Sequence, residues 1–157
     1  MDRTQNDFIE ALEDTQHGRF LTFMVGEEAF GIEIKYVTEI IGLQPITRLP
    51  ETAPHIKGII NLRGKIIPVI DIRLKFKKEP IDYSDRTCII VIDTSDRCAG
   101  LIVDNVAEVL RIEDEDIVPP PEQGSGVQNS YLKGIGKVGE QVKLLLDCEL
   151  LFTDNDV

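Results

Sequence analysis

At 157 residues the chain has room for one domain or two small ones, and 42% hydrophobic with 29% charged residues is the balance of a folded soluble protein. Its 28 acidic against 17 basic side chains leave a net charge of −11, with no basic cluster expected to offset it. That charge disfavours nucleic acid as a partner and excludes negative lipid surfaces.

Met1 to Asp14 is polar and acidic, unlike a signal peptide, and no apolar run approaches the roughly 18 residues that cross a bilayer. Cys88, Cys98 and Cys148 show no C-x-x-C spacing and sit among aliphatic residues. They read as small buried hydrophobes in a reducing cytoplasm. The expectation is a soluble cytoplasmic protein.

In chain order, residues 1–18 read as a flexible arm, with a short amphipathic helical turn over DFIEALED. Phe20 to Val25 and Ala29 to Ile34 are strands around the hairpin signal Gly26-Glu27-Glu28. Tyr36 to Ile41 is short and apolar and ends at Gly42, after which Pro45, Pro50 and Pro54 punctuate the chain. Next come two β-branched runs, Ile59-Ile60 and Ile66-Ile67-Pro68-Val69-Ile70, flanking the polar turn Asn61-Leu62-Arg63-Gly64-Lys65. They predict two strands and a tight turn. Asp71 predicts the cap of a short helical turn through Phe76, with Lys75, Lys77 and Lys78 suited to its negative end. The polar stretch 78–85, containing Pro80, is the best internal boundary.

Beyond it the pattern returns. At a spacing of 69, Phe20 to Phe23 matches Ile89 to Ile92, Gly31 matches Gly100, and Val37, Glu39 and Ile40 match Val106, Glu108 and Val109. The loop from Pro119 to Ser130 adds seven residues, and at the new spacing of 76 Gly58 meets Gly134, Arg63 meets Gly139, and Asp71 meets Asp147. A period this long means two copies of one supersecondary unit. Each copy holds about five short strands and a closing helical turn, and a small barrel is the natural way to leave no open edge. The expected fold is all-β: two pseudo-repeated five-stranded β-barrels, antiparallel and SH3-like, sharing an apolar interface, with short helices.

The repeat also separates fold from function. Glycines and aspartates kept in both copies serve the shared architecture. Arg63 stands where the second copy has glycine, so the barrel does not need it, and it becomes a binding candidate. Little else suggests chemistry. His17 and His55 have no neighbours at metal-ligand spacing, and no nucleophile or P-loop string occurs. Gly134 to Gly139 spells G-x-G-x-x-G, but a strand follows it rather than the helix a dinucleotide site needs. The expectation is an interaction module, not an enzyme, with neither cofactor nor metal.

KGIINLRGKIIPVIDIR, preceded by FGIEIKYVTEIIG and followed by AGLIVDNVAEVL and YLKGIGKVG, resembles the CheW-like family of chemotaxis coupling proteins from about Phe20 to Leu151. The resemblance implies one CheW-like domain over 19–152, built of two barrel subdomains, followed by an acidic tail at 153–157. It implies a non-catalytic adaptor that binds the regulatory domain of the histidine kinase CheA and the cytoplasmic tip of methyl-accepting chemoreceptors. Such an adaptor is cytoplasmic and recruited to membrane-associated receptor arrays. By position, Val37, Glu39, Ile40 and Arg63 fall where the family contacts receptor. Cys88, Ile89, Gly100, Val106, Val109 and Gly134 fall where it is associated with receptor coupling, and Gly58 matches a kinase-binding position. Cys88-Ile89 departs from the family's usual Val-Val but keeps the site apolar. A close approach of Glu39 to Arg63 is expected at the rim.

Overall fold

The computed structural model describes residues 16–95, 97–121 and 130–152. The predicted helical turn at DFIEALED, most of the arm and of the Pro119–Ser130 loop, and the acidic tail lie outside the described residues. Among the described residues eleven strands follow in chain order: β1 (Arg19–Val25), β2 (Glu28–Glu33), β3 (Val37–Gly42), β4 (Ile56–Leu62), β5 (Lys65–Asp71), β6 (Cys88–Asp93), β7 (Cys98–Val103), β8 (Asn105–Arg111), β9 (Ile117–Val118), β10 (Leu132–Val138) and β11 (Gln141–Leu146). Single helical turns, Ile72–Lys75 and Cys148–Leu151, close the two copies. As expected, Asp71 and Asp147 cap them, each accepting two backbone N–H groups through its side chain.

The strands form a six-stranded sheet, β8-β1-β2-β11-β10-β9, and a five-stranded sheet, β3-β6-β7-β5-β4. The all-β expectation holds, but the sheets are not the sequence copies. The first hairpin of each copy is exchanged: β1-β2 joins the strands of the second copy, and β6-β7 joins those of the first. Nor are the sheets wholly antiparallel. Parallel pairs β2-β11 and β5-β7 dock the visiting hairpins, with Gly31 opposite Leu145 and Gly100 opposite Val69. Those positions are repeat counterparts, so one device is used twice. The end strands of each sheet are joined by chain rather than by a hydrogen-bonded ladder among the described residues. In the five-stranded sheet a lone bridge, Thr47 to Ile59, brings the chain after β3 onto β4.

Exchange explains why the visiting strands are buried along nearly their whole length. In β1, Phe20 to Phe23 and Val25 are all buried, and in β6 so are Ile89 to Ile92. Strands covered on both faces lose the inside–outside alternation of a half-buried strand. The principal core draws on both copies, with Phe23, Phe30 and Ile32 against Ile70, Ile90, Leu101 and Leu146. Phe23, Phe30, Phe76 and Tyr131 line up with ring centroids 5.5–5.9 Å apart. Adjacent rings at this spacing add to what their burial contributes.

A polar clamp reinforces the seam where β7 hands over to β8. Arg73, on the first helical turn, donates to Asp104 from Nε at 3.0 Å and Nη2 at 2.6 Å, and Gly26 N–H in the β1–β2 turn donates to the same carboxylate at 2.7 Å. Burial pushes the Asp104 carboxyl up, but Arg73 and the Gly26 N–H outweigh it and hold the group below its ordinary value. A carboxyl shifted down contributes stability that is present above the ordinary value of 3.8 and is lost as pH falls through the lowered one. Asp104→Asn is therefore expected to cost about 2 kcal/mol at neutral pH, since Arg73 stays largely buried with a weaker partner. Urea melts should show the gap to wild type closing as the solution is acidified below that value.

Candidate partner-binding site

The candidate site begins with a turn. Leu62 pairs with Lys65, leaving Arg63 and Gly64 as a two-residue hairpin loop with φ of 52° and 89°. Positive φ at both positions is the type I′ requirement, normally met by Asn or Gly because a Cβ is crowded there. The Asn61 side chain accepts the Gly64 N–H at 2.7 Å and holds the turn. Gly139, the counterpart of Arg63, has φ of 61°. The backbone asks for glycine in both copies, and only the first carries a long cation instead.

That cation has a partner. Arg63 Nη2 donates to Glu39 Oε2, a charge-assisted bond between the β4–β5 turn and β3. The bond and then the Glu39 charge push the guanidinium's pKa up. Glu39 is in reach because β3 and β4 are the two ends of one sheet and the chain after β3 bridges back onto β4 between Thr47 and Ile59. The Arg63 side chain is 68% exposed and that of Glu39 31%, so the pair is a rim feature rather than part of the core. Two apolar side chains on the same sheet are also exposed, Ile40 on β3 at 44% and Ile66 on β5 at 56%. Ile66 was not among the expected site residues. It lies inside a run that reads as core, yet the pleat alternates, and buried Ile67 sends Ile66 outward.

The remaining candidates fall in three places. Val37, Cys88 and Val106 are half-buried along the margin of the principal core, on strands of both sheets. Burial pushes the Cys88 thiol up, only partly opposed by a hydrogen bond with the Val106 backbone, so it stays a protonated, unreactive group at this seam. Val109 is 50% exposed on β8, the end strand of the other sheet and the counterpart of β3. Ile89, Gly100, Gly134 and Gly58 are buried. A Cβ on Gly100 would lie 2.7 Å from Ile89 Cγ2 and 2.9 Å from Val69 Cγ1. These four positions shape the surface from beneath and do not present side chains to a partner.

Among the described residues no three His, Cys, Asp or Glu side chains gather as metal ligands. The glycine string 134–139 is β10 running into its turn, and β11 follows without a helix. No helix among the described residues is long and apolar enough to cross a membrane.

Two small sheets that exchange hairpins and carry a polar–apolar rim suit the class of β-sheet adaptor scaffolds. Residues 19–156 match the model of the CheW-like domain, and the chain belongs to that family. It is a non-catalytic adaptor of chemotaxis signalling. It is 39% identical to the chemotaxis protein CheW of Klebsiella aerogenes over 144 residues, covering 92% of this chain and 87% of the relative. It is 32% identical to protein FrzA of Myxococcus xanthus over 136 residues, covering 85% of each chain. The crystal structure of scaffolding protein TtCheW from Thermoanaerobacter tengcongensis superposes with a TM-score of 0.82 at 36% identity, covering 89% of this chain and 95% of that one.

Proposed function

We propose that the chain couples the histidine kinase CheA to the cytoplasmic tips of chemoreceptors, and that it is recruited from the cytoplasm to membrane-associated receptor arrays. The observation that carries the reading is the Arg63–Glu39 pair, placed on a strained turn that the fold would build more easily with glycine. A receptor tip is an amphipathic helical hairpin. Its apolar face suits the seam at Val37, Cys88 and Val106 and the exposed Ile40, while the ion pair orients its polar flank. Ile89, Gly100 and Gly134 support that surface from within. Val109 extends it or repeats it on the second sheet, and Gly58 keeps the β4 geometry on which kinase binding depends.

The test is co-sedimentation of the purified chain with a receptor cytoplasmic fragment and, separately, with the CheA regulatory domain. Both should co-sediment, and a ternary assembly should form when all three are mixed. Failure to bind either partner removes the coupling role. Likeness to FrzA favours one second reading, the same scaffold serving another chemosensory-type array. Capture of a different kinase and receptor pair from the host's lysate would select it.

A further inference from the structure

The expectation that no local basic cluster offsets the acidic charge needs correcting at one place, the run 75–78, which holds three lysines within four residues. Lys75, Lys77 and Lys78, three of nine lysines in the chain, line a cavity of about 410 Å³ with His55, Tyr131, Leu74, Glu79 and two prolines. Lys75 is the telling residue. It is 5% exposed, and its ammonium sits 5.1 Å from the centroid of the Tyr131 ring. At the repeat spacing of 76 its counterpart is Leu151, fully buried in the principal core. The architecture accepts an aliphatic side chain there, so the fold does not require a buried ammonium, which is costly to desolvate.

Lys77 repeats the argument on the backbone. Its N–H donates to Leu74 O at 3.1 Å and that of Lys78 to Arg73 O at 2.8 Å, the pattern that ends a helix with one left-handed residue. Lys77 has φ of 58°, at a position usually given to glycine. Those carbonyls are already satisfied, so the helix end does not explain the lysine's charge. The opposite wall is tied down by backbone hydrogen bonds. His55 and Tyr131 are themselves repeat counterparts, and their carbonyls accept the Asp71 and Asp147 N–H groups, each at 2.8 Å. Lys78 also bonds Glu28, which fixes one edge of the cavity.

We propose that this cavity binds the phosphoryl group of a small organic phosphate. Lysines hold phosphate as convergent point charges, whereas planar recognition of a carboxylate favours arginine, and no arginine lines the cavity. Its volume admits a small molecule whole. The site is independent of the receptor rim and of its assignment.

Inorganic phosphate titrated into the full chain at constant ionic strength, followed by amide ¹H–¹⁵N spectra, tests the proposal. The amides of Lys75, Lys77, Lys78 and Tyr131 should shift and saturate, where sodium chloride leaves them in place. Lys75→Met should weaken binding by about tenfold or more, the loss expected for one charge-assisted contact. Lys77→Ala, at an exposed position, should keep the fold and also weaken binding. Absence of a saturable shift overturns the proposal, as does wild-type affinity in Lys77→Ala or in folded Lys75→Met. A response to citrate but not to phosphate overturns it too.

Discussion

Gly58→Asp is expected to be the most damaging single substitution at any of the candidate positions. Gly58 is buried on β4 with φ of +147°, a region that side chains rarely enter, and a Cβ there would lie 2.1 Å from Thr47 O and 2.8 Å from Thr47 C. Both neighbours are backbone atoms, held by the paired bonds Thr47 N to Ile59 O and Ile59 N to Thr47 O, each 2.9 Å. Neither can swing aside as a side chain would. Strain, clash and a buried carboxylate together should cost about 3–5 kcal/mol, which for a chain of this length lowers Tm by roughly 10 °C or more. Gly134→Glu should be milder. A Cβ at Gly134 first meets the Ile117 side chain at 2.7 Å, then Val118 O at 3.0 Å, and φ there is not positive. A calorimetric melt ranks the two. On this account Gly58→Asp loses kinase binding because the Thr47–β4 bridge opens. Wild-type melting with selective loss of the kinase would make the glycine part of a contact surface instead.

What was legible in the sequence is what neighbouring residues decide. Gly26, Gly64 and Gly139 mark two-residue turns, and Asp71 and Asp147 mark helix starts, because turn and cap chemistry is local. The repeat followed from spacing alone. Hairpin exchange was not legible. It rests on pairings between strands far apart in sequence: the antiparallel ladders of β1 with β8 and of β3 with β6, and the short parallel contacts of β2 with β11 and of β5 with β7. The strands that move, β1 and β6, are apolar on both faces and suit either sheet equally. The same division runs through the candidate sites. Arg63 stood out because its repeat counterpart is glycine, and Lys75 against Leu151 is a contrast of the same kind. Burial of Ile89, Gly100 and Gly134 could not be read from composition, because an apolar residue or a glycine suits a groove as well as a core.

Arg63→Glu should leave melting almost unchanged and weaken receptor binding by about tenfold or more, chiefly through slower association that depends on salt. The guanidinium is exposed and, among the described residues, its charge-assisted bond is to Glu39 alone, so little of the fold depends on it. Replacing it puts two carboxylates where an opposed pair stood, and the repulsion opens the rim between β3 and the β4–β5 turn. Arg63→Gly separates charge from backbone. The left-handed turn is easier for glycine, as at Gly139, so Tm should hold or rise while receptor binding still falls. Kinase binding should survive both changes, since it is proposed to depend on β4 around Gly58 and not on the rim charge. The double swap Glu39→Arg with Arg63→Glu restores opposite charges and should recover part of the lost affinity, giving a coupling free energy in a double-mutant cycle. Strictly additive single effects would mean that each residue meets the receptor on its own and the bond merely stores Arg63 in the free protein. Loss of folding in Arg63→Gly would return the arginine to the architecture and remove it from the interface.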